Sequence, residues 1–198
     1  MMGEMMMEAV FSLVDIYWLS KVSNDAVAAV GVTESVISLI YALAIGISSG
    51  ATALVARRIG EKDPVKAGQA TTQVIILTLI VSIVVGLVGS YFASDILRLM
   101  GGEDKMVEEG TPYTRIMMAT NAVIMFLFVL NGVFRGAGNA MIAMWALGLA
   151  NVINLILDPL FIFGYGPFPE MGVQGAAVAT SIGRGCGVLF QLVILFGG

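Results

Sequence analysis

The chain has 198 residues, of which 58% are hydrophobic and only 12% charged, and its mean hydropathy is +0.94. Soluble domains carry about 25% charged residues, so this composition excludes an ordinary soluble fold and predicts an all-α, polytopic transmembrane bundle. The net charge of −4 indicates no particular partner, because the charges stand in loops and at helix ends, and nothing in the sequence points to nucleic acid.

Hydropathy and turn residues divide the chain into about six helical segments, which together form a single transmembrane bundle over residues 1–198. The predicted helices cover residues 5–22, 26–56, 67–92, 112–134, 140–164 and 173–196. The first begins in MMGEMMMEAVF, where Glu4 and Glu8 replace the positive charge of a secretory signal. We therefore expect no cleaved signal peptide, and the segment is interpreted as a helix entered partway along.

The loop after the second segment, RRIGEKDPVK, contains the densest basic cluster in the chain. Because basic loops stay on the cytoplasmic side, this cluster predicts that both termini lie in the cytoplasm. The bundle is expected to lie in the plasma (inner) membrane. The longer loop before the fourth segment is acidic and should face outward. Within it, residues 93–101 alternate polar and apolar positions at helical spacing, which is typical of an interfacial helix but also compatible with an ordinary loop turn.

Small residues suggest how the helices pack. Three pairs of glycines are spaced four residues apart, namely Gly46 and Gly50, Gly132 and Gly136, and Gly183 and Gly187. Such pairs let membrane helices approach closely. The single cysteine, Cys186, lies in an apolar, glycine-rich run and is interpreted as a packing residue. The chain has no histidine, and no nucleophile, base and orienting group occur together, so we do not expect an enzyme.

Two acidic residues fall inside apolar segments, where a carboxylate costs several kcal/mol and is functional by default. Asp15 lies in AVFSLVDIYWLS, close to Tyr17 and Trp18, and the alternative is an aspartate at the membrane interface. Asp158 lies in NVINLILDPLF, immediately before Pro159. These two residues are the candidate cation or proton ligands.

Asn151, Asn154 and Asp158 follow one another at i, i+3 and i+7 and therefore share one face of a helix. Pro159 has no N–H, which frees the carbonyl of Leu155. Because hard cations prefer oxygen ligands, the sequence predicts a Na⁺ site at Asp15, Asn154 and Asp158, and a proton could use the same carboxylates. The alternative for the asparagines is hydrogen bonding between helices.

Three further polar residues lie in the apolar segments. Thr180, in the last segment, could supply a hydroxyl to a neighbouring helix. Glu34 lies either inside the membrane or near the outer headgroups. Arg184 requires a counter-charge unless it snorkels or lines water, and Asp158 is one candidate partner.

Six motifs resemble the MATE (multidrug and toxic compound extrusion) family of exporters, in the same order. They are the aspartate of the first helix, Asp15, followed by DAVAAVGV at 25–32, GATALVARRIGEKD at 50–63, NGVFRGAGNA at 131–140, NVINLILDPLFIFG at 151–164 and GVQGAAVATSI at 172–182. Members of this family have two six-helix bundles with a drug cavity between them. The chain resembles the first bundle, without the start of helix one.

The resemblance implies a cation-coupled antiporter that exports small organic, often cationic, compounds and needs no cofactor beyond its coupling ion, Na⁺ or H⁺. By the same resemblance, Asp15, Asn154, Asp158 and Thr180 match residues that bind Na⁺ or protons, and Asn151 and Asn131 are neighbours. The expected partners are membrane lipid and either a missing second bundle or a second copy of the chain. The alternatives are an inactive transporter fragment, a small membrane assembly protein and a lipid-linked oligosaccharide flippase, although a flippase should have a more basic cavity.

Overall fold

The computed structural model describes residues 2–21 and 24–197, and it describes their side chains except at residues 2–5, 7, 8, 11, 12, 15 and 24–26. This part of the chain contains eight α-helices and no strand. They are α1 Met2–Leu19, α2 Asn24–Gly60, α3 Pro64–Tyr91, α4 Ala93–Leu99, α5 Asp104–Ala119, α6 Asn121–Gly136, α7 Ala140–Ile162 and α8 Val173–Gly197. The predicted all-α helical bundle is confirmed.

The six predicted segments correspond to eight helices because one is broken and one additional helix is short. The fourth segment, expected over 112–134, is formed by α5 and α6, which bend by 43° around Thr120. Helix α5 already begins at Asp104. Hydropathy misses its first turns because they carry charged residues such as Glu108 and Glu109. Most of the expected acidic loop is therefore helical.

Helix α4 lies within residues 93–101, for which the sequence allowed either an interfacial helix or a loop turn. It is a short helix that buries Ala93 and Leu97, one turn apart, and exposes 87% of Leu99. Burial of the apolar side chains at i and i+4 favours this helix of seven residues.

Four of the described helices, α2, α3, α7 and α8, are long and apolar enough to cross a membrane, and the bent pair α5 and α6 adds a fifth if counted as one span. Helix α3 has the reverse of the pattern found in soluble proteins, with large apolar side chains outside and small or polar residues inside. It exposes large side chains such as Ile80 and Leu87, while it buries Thr78, Ser82 and Gly86. Lipid is as apolar as leucine, so small and polar residues face the bundle instead.

Helices α2 and α6 pack through one of the predicted glycine pairs. A Cβ added to Gly132 would lie 2.5 Å from the carbonyl oxygen of Ser48, and one added to Gly136 would lie 2.7 Å from that of Thr52. The hydroxyl of Ser48 donates to the carbonyl of Phe128 at 2.7 Å, and that of Thr52 donates to the carbonyl of Gly132 at 2.8 Å. Close backbone approach thus permits interhelical hydrogen bonds.

The expected packing role of Gly46 and Gly50 is wrong within the described part of this chain. Both residues are exposed, and an added Cβ at either position would meet no atom within 4 Å. They lie on the outer side of α2, whereas Ser48, between them, faces α6. A spacing of four places glycines on one helical face but does not decide which face is covered.

Helices α7 and α8 also pack closely through glycines. Added Cβ atoms would lie 2.8 Å from the carbonyl oxygen of Ala150 at Gly183 and 2.9 Å from that of Ala146 at Gly187. The connector between the helices folds back on α7, where the amide of Met171 donates to the carbonyl of Phe161 at 3.0 Å. This packing positions the polar residues of α7 and α8 against each other.

Candidate cation-binding site

The centre of the candidate site is a buried pair on α7. The amide nitrogen of Asn154 donates a hydrogen bond to Oδ1 of Asp158 at 2.9 Å. Asn154 is 1% exposed and Asp158 is fully buried, whereas Asn151, on the same helical face, is only half-buried. A hydrogen bond to the carboxylate form stabilises the charge of Asp158 inside an apolar bundle.

Thr180 on α8 joins this pair. Its Oγ1 lies 3.4 Å from the amide nitrogen of Asn154, and the residue is 2% exposed. The approach depends on Gly183, since an added Cβ there would lie 3.3 Å from Cβ of Asn154. The structure therefore brings Asn154, Asp158 and Thr180 together, and they offer carboxylate, amide and hydroxyl oxygens of the kind that hard cations prefer.

Asp15 was the other predicted acidic ligand, and its side chain lies outside the described residues. Its backbone belongs to α1, which packs against α7 through Trp18 and Phe163, whose ring centres are 6.0 Å apart. Asp15 precedes Trp18 by three residues and Asp158 precedes Phe163 by five. Both acidic residues thus stand within about one and a half helical turns of this contact, and a role for Asp15 in the site remains a prediction.

Pro159 lies inside α7 without ending it, because the helix continues to Ile162. Lacking an N–H, this proline cannot donate to the carbonyl of Leu155. It stands immediately after Asp158, so the local loss of a backbone donor coincides with the buried carboxylate. Leu155, Asp158 and Pro159 therefore all lie within α7.

Asn131 hydrogen-bonds with a residue that the sequence did not single out. Nε2 of Gln191 on α8 donates to Oδ1 of Asn131 on α6, and the two side chains are 0% and 1% exposed. Gln191 follows Arg184 by seven residues and Thr180 by eleven, so all three share one face of α8. That spacing was the signal that could have identified Gln191 as an inward-facing residue.

Arg184 is buried on the same face of α8, with 4% of its surface exposed. Its guanidinium carbon lies 5.4 Å from the centre of the Tyr41 ring on α2. The ring of Tyr41 in turn packs against that of Phe128 on α6, with 5.4 Å between centres. The guanidinium thus lies over an aromatic face, where cation–π attraction offsets part of the cost of its burial.

A second polar layer surrounds the break between α5 and α6. The hydroxyls of Thr120 and Ser181 share a hydrogen bond of 2.7 Å, which joins the break to α8. The amide nitrogen of Asn121 donates to the carbonyl of Ser82 on α3 at 3.0 Å and to that of Met118 at 2.7 Å. Helix kinks need an identifiable cause, and here side-chain hydrogen bonds hold the bend.

Basic and acidic residues of the loop after α2 form ion pairs with one another. Arg57 and Arg58 contact the carboxylate of Glu61 at 2.9 and 2.8 Å, and Lys66 contacts Asp63 at 2.9 Å. Hydrogen bonds from Arg58 and then Arg57 lower the pKa of Glu61, and the backbone hydrogen bond from Lys66 lowers the pKa of Asp63. These carboxylates stay charged at neutral pH and fix the turn that starts α3.

The sequence pattern of the family described as MatE matches residues 1–160. The chain belongs to the MatE family. The FAD transporter of Shewanella oneidensis is 33% identical to it over 170 residues, which cover 86% of the chain and 38% of that relative. The probable multidrug resistance protein NorM of Thermotoga maritima is 30% identical over 199 residues, which cover 97% of the chain and 42% of that relative. The resemblance to MATE transporters is thereby confirmed.

A solved structure of MATE in the bent conformation shares the fold, with a TM-score of 0.91 and 34% identity over 98% of the chain. The chain covers 43% of that structure and 38% and 42% of the two relatives, so it spans about two fifths of the length of these MatE proteins. The family pattern includes Asn154 and Asp158, while Thr180 lies beyond its last matched residue. As a member of this transporter family with several apolar helices, the chain is a multi-pass membrane protein.

Proposed function

We propose that the chain forms one bundle of an antiporter that exports small organic compounds, cationic drugs among them, against the inward movement of Na⁺ or H⁺. The observation that carries this proposal is the hydrogen-bonded pair of Asn154 and Asp158, buried in an apolar bundle with Thr180 beside it. A buried carboxylate is expensive inside a membrane and marks an ion or proton pathway.

The site would couple transport by binding the cation more tightly in one conformation than in the other, since a ligand shifts an equilibrium only through such a difference. Na⁺ would take oxygens from Asp158, Asn154 and Thr180, and from Asp15 on α1. A proton would instead neutralise a carboxylate. Both ions act as transported substrates, and this role requires no bound cofactor and no chemical reaction of the exported compound.

The exported compound is proposed from the family alone. The names of the relatives describe a FAD transporter and a probable multidrug resistance protein, and they support small organic compounds as the proposed cargo. The chain itself is proposed to lie in the plasma membrane with both termini in the cytoplasm, because basic residues cluster at the end of α2.

Transport is proposed to require a second bundle. In alternating access, one bundle rocks against another around a shared site, and the chain spans only 42% of the length of the Thermotoga relative. The second bundle would come from a longer chain or from a second copy of this one. The same shortness supports the alternative of an inactive fragment or an assembly protein, which predicts no transport.

Ethidium efflux under an imposed Na⁺ or H⁺ gradient tests the proposal. Drug-sensitive cells would express the chain together with any second bundle that its flanking coding sequence supplies, as the wild type, as Asp158→Asn, or as the matched control Asp95→Asn, which removes an exposed carboxylate on α4. We expect gradient-dependent efflux from the wild type and the control, and none from Asp158→Asn. Equal efflux from Asp158→Asn would refute the assigned site, while no efflux from well-inserted wild-type protein would refute transport by this chain and favour the inactive alternative.

A further inference from the structure

Helix α4 takes no part in the proposed function, and the described residues leave part of its apolar surface uncovered. It follows α3 after a single residue, Phe92. Ala93 and Leu97 are buried against the bundle, whereas Leu99 is almost fully exposed and Phe92 and Met100 are about half exposed. Exposed apolar side chains that lie together on a surface mark an interaction site.

The side chains of α4 divide into three arcs around the helix. The carbonyl of Phe92 accepts a hydrogen bond from the amide of Ile96 at 2.9 Å, so Phe92 belongs to the first turn. Successive residues of a helix turn by about 100°, which places Phe92, Ile96 and Leu99 within about 60° of one another. The buried residues Ala93 and Leu97 form the neighbouring arc. The remaining arc carries the polar residues, namely Ser94, Asp95 and Arg98. A helix with an apolar and a polar side is typical of a membrane surface.

The arc of Phe92, Ile96 and Leu99 continues the outer face of α3. Near its end, α3 exposes Leu87, Val88 and Tyr91. The rings of Tyr91 and Phe92 are in edge contact, with 4.9 Å between their centres. Membrane helices pack on one another through small residues, so a surface of large apolar side chains fits the acyl chains of lipid better than it fits a second bundle.

The length of α3 places α4 at the level of the lipid headgroups. Helix α3 has 28 residues, and at 1.5 Å per residue it is about 42 Å long. The hydrocarbon core of a bilayer is about 30 Å thick, and the headgroup regions extend it to about 40–45 Å. If α3 crosses the membrane, its two ends therefore lie among the headgroups. Tyr91 stands at one of these ends, where amphipathic rings commonly anchor a span.

We propose that α4 anchors this end of the bundle in the membrane surface, with the arc of Phe92, Ile96 and Leu99 inserted about 5–10 Å into the boundary between headgroups and acyl chains. The partner is the acyl region of a lipid leaflet, and no particular headgroup charge is required, because Asp95 and Arg98 on the polar arc carry opposite charges.

The anchor also holds the start of α5. A Cβ added to Gly110 of α5 would lie 3.3 Å from Cδ1 of Leu97 and 2.6 Å from the Cβ of Ala29 on α2. Leu97 is fully buried in this contact. The depth at which α4 lies in the membrane surface therefore sets the position of the neighbouring turns of α5 and α2.

Electron paramagnetic resonance of a nitroxide label measures the depth of α4. The purified full chain would carry Cys186→Ser and Leu99→Cys, with the label at residue 99, in phosphatidylcholine vesicles. We expect the label to collide more often with oxygen, which concentrates among acyl chains, than with a water-soluble nickel chelate, and to lie about 5–10 Å inside the headgroup boundary. Asp95→Cys is the matched control on the polar arc of the same helix, and its label should collide mainly with the chelate.

Three outcomes at residue 99 are distinguishable. Collisions mainly with oxygen support the anchor. Collisions mainly with the nickel chelate would place the arc in water and overturn it. A label that neither reagent reaches would show that protein, either a second bundle or a second copy, covers the arc, and this would also overturn it. Leu87→Cys on α3 gives the lipid reference that shows insertion of the chain, and Phe92→Cys reports on the same arc if Leu99→Cys does not fold.

Discussion

Gly183 of α8 lies directly against Ala150 of α7, so closely that a Cβ added to the glycine would be 2.8 Å from the carbonyl oxygen of Ala150. The same Cβ would approach that of Asn154 to 3.3 Å. The absence of a side chain at Gly183 therefore decides the distance between the two helices that carry the candidate site. Thr180, one turn away, reaches Asn154 because of this contact.

Gly183→Ala should separate α7 from α8 and weaken both stability and cation-dependent efflux. Overpacking a close contact costs about 1–3 kcal/mol, which exceeds the gain in helix propensity of about 1 kcal/mol from replacing glycine with alanine. Gly185→Ala is the matched control, because an added Cβ there meets its nearest atom, Cγ1 of Val123, at 3.9 Å. Unfolding of the purified variants in detergent measures the difference. Equal stability of the two variants would contradict the close packing.

Asn154→Ala should reduce transport by removing the donor that holds Asp158. Its amide donates to the buried carboxylate at 2.9 Å, and leaving a buried acceptor without its donor costs about 1–3 kcal/mol. Asn139→Ala is the control, since Asn139 is exposed before α7 and makes no side-chain capping hydrogen bond. Gradient-driven ethidium efflux, normalised to inserted protein, gives the measure. Efflux unchanged in Asn154→Ala would exclude a role for this hydrogen bond.

Asn121→Ala should relax the bend between α5 and α6. The amide of Asn121 joins the carbonyl of Met118 to that of Ser82 on α3, and without it the 43° bend loses its link to α3. Pulsed electron paramagnetic resonance measures the distance across the bend between spin labels at the exposed positions Glu109 and Ala137. The native cysteine is replaced in this background. We expect a longer and broader distance distribution in the variant, and an unchanged distribution would show that the bend has another cause.

Much of the fold was predictable because lipid imposes long apolar helices. The segment predicted over 140–164 spans Ala140–Ile162, and that over 173–196 spans Val173–Gly197. The break at Thr120 was not predictable, because no proline or glycine marks it and its causes, Ser82 and Ser181, lie far away in the sequence.

Part of the candidate site was likewise predictable from the sequence, and part was not. Helical spacing predicted that Asn154 and Asp158 share one face of a helix, since residues four positions apart lie one above the other. The hydrogen bond between Gln191 and Asn131 joins residues sixty positions apart, so only the packing of α6 on α8 reveals it. The place of Asp15 in the site stays a prediction.

Asp63→Ala should loosen the start of α3. The carboxylate of Asp63 accepts a hydrogen bond from the backbone amide of Lys66 at 3.0 Å, and this hydrogen bond is the main reason why its pKa is lowered. Because the pKa is lowered in the folded state, the contribution is complete above the ordinary value of 3.8 and is lost as the pH falls through the lowered value.

Hydrogen exchange of the Lys66 amide measures this cap. At neutral pH, exchange should be faster in Asp63→Ala than in the wild type, and wild-type protection should hold into the weakly acidic range. Asp63→Asn is the matched control, because asparagine keeps the accepting oxygen without the charge, so its protection should not depend on the titration of this side chain. Equal exchange in all three proteins would show that the cap does not order the helix.

A double-mutant cycle on Asn131 and Gln191 should show that these residues act as a pair. Asn131→Leu and Gln191→Leu each leave one buried polar group without its partner, at a cost of about 1–3 kcal/mol, whereas the double variant removes both groups. We expect the double variant to be less destabilised than the sum of the single ones, by about 0.6 to 1.7 kcal/mol, as for other hydrogen bonds inside membranes. Thermal unfolding of the four purified proteins supplies the cycle. Strictly additive losses would mean that Asn131 and Gln191 contribute independently, and that α6 and α8 are joined by apolar packing alone.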